Sequence, residues 1–290
     1  MNLLFIKVIF SILILLTTLF GNIGPLYIYT PIWLFRLGSL ACGVFIGAGL
    51  IHLLTDSCDE INNSNFTKFP ISHSICVVVF VLLSYLEMLT VSEHDIQINS
   101  SDGSINNENV SDFVDEKNNN NEMSIRKKQF SKENKGLSAT SIPLYIVMVF
   151  HSIFEGLSLG ILMNTGTAIA TFFAIIGHKP VEAFSLSLII LSDKPSKFMF
   201  YIFVVIYSLC TPVSICISAL IGTITKKLVV GIIEAISAGT FIFIGCHEWS
   251  ELHKNKQVIN VKEKLWHLGF LTLGAIWMLL IAIIEKIIEG

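Results

Sequence analysis

Charge is scarce in this chain. Of its 290 residues only 14% are Asp, Glu, Lys or Arg, where a soluble domain has about 25%. A surface so poor in charge excludes a soluble enzyme and the basic face of a nucleic-acid-binding domain, so no nucleic-acid partner is expected. The six cysteines (Cys42, Cys58, Cys76, Cys210, Cys216 and Cys246) contain no CxxC spacing, and five stand in apolar stretches. That argues against a secreted disulfide scaffold and for small packing residues.

Apolar sequence is abundant instead: 53% of residues are hydrophobic and the mean hydropathy is +0.71. A helix that crosses a bilayer needs about 20 predominantly apolar residues. Eight runs of that kind can be marked, at 3–22, 35–54, 71–91, 142–163, 168–191, 198–222, 228–247 and 265–286. The first holds a single charge, Lys7, and is read as a membrane helix rather than a cleaved signal, since no A-x-A-like site follows it. The expected fold is an all-α integral membrane protein embedded in lipid, with eight transmembrane helices.

Residues 92–140 are of another kind. They contain Asn118 to Asn121 in a row, nine acidic and six basic residues, and almost no aromatics. Such a segment buries too little apolar surface to offset the entropy of ordering, so a disordered loop is expected. It divides the chain into 1–91 with helices one to three, 92–140, and 141–290 with helices four to eight. Placing both termini outside the cytosol puts thirteen Lys and Arg residues in inner connections and four in outer ones, and leaves Lys7 and Lys179 within spans. The positive-inside bias thus makes the long loop cytosolic. The sequon at Asn65 then lies outside, and those at Asn99 and Asn109 lie inside, where they would be idle.

Ionisable side chains inside the membrane are costly and are functional candidates by default. The fourth run holds His151 and Glu155; the fifth holds His178 and Glu182. Residues four apart lie on one face of a helix, so each helix offers an imidazole and a carboxylate to one side. The short connection at 163–168 makes the two helices antiparallel neighbours and brings the pairs together near mid-membrane. Two imidazoles and two carboxylates suit a divalent transition metal, bound moderately enough to be released. Pro180 removes one backbone hydrogen bond between His178 and Glu182 and frees the carbonyl of Ile176. Broken helices of this sort recur at transporter binding sites.

His52 and Asp56 form a third pair four apart, at the outer end of the second run, and are read as a first station for the ion. Glu248, with His247, Glu251 and His253 nearby, marks the inner end of the seventh run and a candidate exit. Glu87, Glu234 and Glu285 lie near span ends and are read as interfacial. The spacings Gly43-x-x-x-Gly47 and Gly156-x-x-x-Gly160 mark close helix contacts.

His151-Ser-Ile-Phe-Glu155-Gly156 followed by His178-Lys-Pro-Val-Glu182-Ala-Phe184 resembles the paired signature of the ZIP family of metal-ion transporters. Gly43 to Asp56 is similar to that family's second helix, and Gly239 to Glu248 to its seventh. The resemblance implies transport of zinc, or of iron(II), into the cytosol with the ion as substrate rather than cofactor. It also implies His151, Glu155, His178 and Glu182 as the transport site, permits a homodimer, and fits either the plasma membrane or an organelle. Ser152 and Lys179 match positions that in some members add ligands for a second metal. A lysine there disfavours a second cation, so one principal metal is expected. The chain departs from the family in having only His94 in the long loop, and in Val213 and Ser214 after Pro212.

Rival readings compete: a hydrolase of one of two kinds, a non-transporting metal receptor or structural membrane protein, and a proton-coupled carrier of something other than metal. Gly156-Leu-Ser158-Leu-Gly160 matches G-x-S-x-G textually, but that motif needs a strand-to-helix elbow. A metal-dependent intramembrane hydrolase would instead use the His/Glu set to activate water.

Overall fold

The computed structural model describes residues 3–28, 30–64, 69–102, 141–221, 227–254 and 260–289. All regular structure among them is helical: α1 (Leu3–Tyr27), α2 (Pro31–Gly47), a π-helical stretch (Ala48–Leu53), α3 (Leu54–Asn63), α4 (Ile71–Asp102), α5 (Ser141–Ile161), α6 (Thr165–Ser192), α7 (Lys197–Ile221), α8 (Lys227–Lys254) and α9 (Val261–Glu289). The α2–π–α3 segment forms one continuous span, so eight spans are long and apolar enough to cross a membrane. In lipid every backbone N–H and C=O must be satisfied within the segment, and the helix does this.

Local chemistry sets several ends. Pro31 opens α2, where its missing N–H costs nothing. Asn164 caps α6, its side chain accepting from the Gly166 amide at 2.8 Å. Buried Lys7 donates to the Gly160 carbonyl at 2.7 Å, which neutralises the negative end of α5 and accounts for a charge in the first span.

The bundle is built from long helix pairs. α9 lies along α2, α5 along α7, α1 along α6, and α4 along α8. Small residues permit these contacts. A Cβ on Gly43 would strike the Leu271 carbonyl of α9, and one on Gly156 the Thr211 carbonyl of α7. Polar side chains pin other crossings: Asn22 of α1 donates to Ser208 of α7 at 3.1 Å and accepts from Ser187 of α6 at 2.8 Å. Apolar side chains such as Phe20, Phe198 and Leu220 point outward, as a lipid surface requires.

One expectation needs correcting. The second span does not end near residue 54 but continues as α3 to Asn63. That segment is amphipathic: Ile61 is buried and Ser57 donates to the Gly231 carbonyl of α8 at 2.6 Å, while Asp56, Asp59 and Glu60 line a cavity. Averaged hydropathy is blind to such a helix. The third apolar span, Ile71–Leu89, ends close to where the hydropathy places it, and the backbone helix continues from it to Asp102. From 103 the Asn-rich loop lies outside the described residues, as do the sequons at Asn65 and Asn109.

Candidate metal site

His151 and Glu155 project from α5, and His178 and Glu182 from α6, and all four are buried. One ligand atom from each can be chosen so that all lie within 4.8 Å of one another, a grouping able to hold a metal ion. The two helices touch sparingly, since α5 packs mainly on α7 and α6 on α1 and α9. The pairs therefore meet through a limited contact between the two helices, each of which packs mainly on other partners. α6 passes Pro180 without ending, and the backbone of Pro180 lies against Gly21 of α1.

Within the site, His178 Nε2 is 2.8 Å from Glu155 Oε1. His151 Nε2 stands 3.9 Å from Glu155 Oε1 and 3.9 Å from Glu182 Oε1. That is too far for a hydrogen bond, and both nitrogens of this buried ring lack a partner. Donors that share a metal each sit about 2 Å from it, hence roughly 3–4 Å apart. The His151 ring rests on Phe241 of α8, with centroids 3.9 Å apart.

Lys179 is wholly buried beside these groups. Its Nζ donates to Glu155 Oε2 at 2.7 Å and to Ser152 Oγ at 2.9 Å, and lies 3.1 Å from Glu182 Oε2. The ammonium thus bridges both carboxylates. Thr211 of α7 donates to Glu155 Oε2 at 3.2 Å, and the Tyr207 ring lies 5.3 Å from Lys179 Nζ. Tyr207, Thr211 and Phe241 carried no sequence signal, because a lone aromatic or threonine in an apolar run looks like packing.

A cavity of about 330 Å³ reaches this cluster. Its rim includes Asn63 of α3, Thr167 of α6, Val230 of α8 and Lys286 of α9, and its depth includes His151, Glu155 and His178. His52 and Asp56 line it, and Glu285 joins them. Glu285 is only 4% exposed, so it is not interfacial as its place near a span end suggested. Glu234 likewise lines the cavity, accepting from Ser158 at 3.1 Å. At the opposite end of α8, His247 pairs with Glu87 at 2.8 Å, with Glu251 close by. Among the described residues, Glu248 belongs to none of the candidate metal clusters, and the His253 ring stacks near Trp249.

The chain matches the Zip family, described as ZIP Zinc transporter, over residues 3–282. Similar proteins include Protein zntD of Dictyostelium discoideum, 31% identical over 144 residues, which are 47% of this chain and 21% of that protein. Zinc transporter ZIP1 of Danio rerio is 27% identical over 37% of this chain and 36% of its own length. Zinc transporter 7 of Arabidopsis thaliana is 26% identical over 71% of this chain and 62% of its own length. The matched stretch thus spans well under half of the first two relatives. With eight apolar spans and a match over nearly its whole length, the chain belongs to the Zip family.

Proposed function

We propose that this protein carries divalent transition-metal cations across a membrane into the cytosol, zinc foremost and iron(II) with it. His151, Glu155, His178 and Glu182 form the transport site in this reading. One observation carries it: two imidazoles and two carboxylates from two helices converge, three of the four (His151, Glu155 and His178) lining a cavity, with His151 unpartnered. Imidazole and carboxylate donors serve zinc, iron(II), manganese and cadmium alike.

The ion sheds water along the cavity, meets the four donors, and is released inward when one helix group shifts against the other. Lys179 limits the load. With neutral imidazoles, two carboxylates and one ammonium leave a single net negative charge. One divalent ion converts that to a single positive charge, whereas two ions would leave three. The Lys/Arg distribution supports a cavity mouth and both termini outside the cytosol. The division 1–91, 92–140 and 141–290 is kept, with the central connection cytosolic. The same reading applies to a plasma or an organelle membrane and admits a homodimer.

A metal-dependent hydrolase fits less well. Ser158 lies in the last turn of α5 and donates to Glu234, with no strand leading into it. The His/Glu set sits between crossing helices with a lysine tying up its carboxylates, so a water activated there would compete with that ammonium. Proteoliposomes decide the matter. Zinc and iron(II) uptake should be present with the unmodified chain and lost with His178→Ala and Glu182→Ala. Full uptake by correctly inserted Glu182→Ala protein would refute the site.

A further inference from the structure

Toward the end of the bundle that carries the long connection lies a second cavity, of about 260 Å³, which none of the four metal-site donors lines. α4 and α5 both lie against α8 but form no packed seam with each other. The gap between them is walled by Leu83 and Leu86 of α4 and Val147 of α5, and buried Phe243 of α8 forms its floor. Leu86 and Ile146 are exposed at its rim, so the crevice opens sideways, toward lipid. One end is polar. Glu87 Oε1 lies 2.8 Å from His247 Nδ1, and Glu251 offers a ligand atom within 4.8 Å of both residues' own. The imidazole is buried, while the Glu87 side chain is 27% exposed. Two carboxylates around one imidazole make this end acidic. α4 is also the least buried of the eight spans.

We infer that this crevice binds one acyl chain of a phospholipid whose headgroup ends in a primary amine, as in phosphatidylethanolamine, with the ammonium on Glu87. Three features select that occupant. The wall is hydrocarbon, and a void beside lipid tails forfeits the dispersion contacts that an inserted chain restores. The volume falls short of the roughly 300 Å³ at which sites begin to enclose drug-sized ligands, so one chain enters and the headgroup stays outside. At the acidic end a primary ammonium brings N–H donors to carboxylate oxygens, as a lysine does. A choline headgroup has the charge but no N–H, and an anionic headgroup sets like charge beside Glu87 and Glu251. A metal ion at the same three residues gains nothing from the apolar wall, whereas an amphiphile uses wall and acid together. The lodged chain stands in for the neighbour that α4 lacks and joins it to α5. The site is independent of the transport reading, since it involves neither the four donors nor the cavity that reaches them.

The test is native mass spectrometry of the full-length chain in detergent micelles, with dioleoyl lipids that differ only in headgroup. One phosphatidylethanolamine should be retained per chain, with phosphatidylcholine and phosphatidylglycerol held at least about tenfold less tightly. Glu87→Gln should erase that preference, and Glu87→Asp should restore part of it. Val147→Trp fills the crevice and should abolish retention. If that variant does not fold, Leu86→Trp closes the exposed rim and carries the same test. Phosphatidylethanolamine should also raise the melting temperature of the unmodified chain but not that of the Trp variant. Equal retention of the three lipids overturns the inference, as does an undiminished preference in Glu87→Gln. Loss of binding in Glu87→Gln with full binding in both Trp variants also overturns it, because the amine would then sit on a surface carboxylate with no chain in the crevice.

Discussion

Lys179 is the residue on which the deep cluster turns. Wholly buried, it holds Glu155 at 2.7 Å and approaches Glu182 to 3.1 Å. Removing one partner from a buried ionic set leaves uncompensated charge and costs about 3–5 kcal/mol. Lys179→Met should therefore lower the melting temperature in metal-free buffer. Added zinc supplies the missing positive charge, so it should raise that variant's melting temperature more than it raises the unmodified protein's. Equal zinc shifts would show that the ammonium does not neutralise the site. The His and Glu of each pair were legible in the sequence because helix geometry alone stacks residues four apart. Tyr207, Thr211 and Phe241 were not, since only the packing of α7 and α8 brings them to the site. Glu285 was misread because a carboxylate five residues from the chain's end resembles any interfacial charge until α9 is seen beside the π-helical turn.

The eight apolar runs could be read from hydropathy because lipid demands it of every span. What hydropathy could not supply was the pairing of helices or the amphipathic α3. Close approach of α2 and α9 rests on Gly43 and Gly274: a Cβ on either would strike backbone of the other helix. Gly43→Leu should destabilise the bundle by roughly 1–3 kcal/mol through overpacking, read as a lower melting temperature in detergent. Gly269, also on α9, has nothing within 4 Å of an added Cβ. Gly269→Leu should leave the melting temperature almost unchanged. An equal loss in both would mean that the cost does not come from the α2–α9 contact.

For the molecule as a whole, orientation and pH dependence follow from where charge sits. Thirteen Lys and Arg residues in inner connections against four in outer ones predict that tags on both termini are reached by antibody in unpermeabilised cells, if the chain is at the cell surface. Staining of either tag only after permeabilisation would reverse the assigned direction. Coordination needs unprotonated imidazole and carboxylate, so acid competes with the ion. Initial zinc uptake should fall as the outer medium is taken from about pH 7 to about pH 5, the range in which ordinary histidine gains a proton. A rise would point to proton-driven exchange.

On the proposed transport reading, the ammonium wedged between two glutamates also gives a turnover its electrical character. With an ion aboard, the site bears one net positive charge; without it, one net negative charge. An inside-negative voltage draws the first inward and expels the second, at about 2.3 kcal/mol per charge for each 100 mV fully crossed. Loading and reset limbs thus run downhill in the same field, and patch-clamp or dye-clamped vesicles should record turnover that quickens with hyperpolarisation and is stalled by it in neither limb.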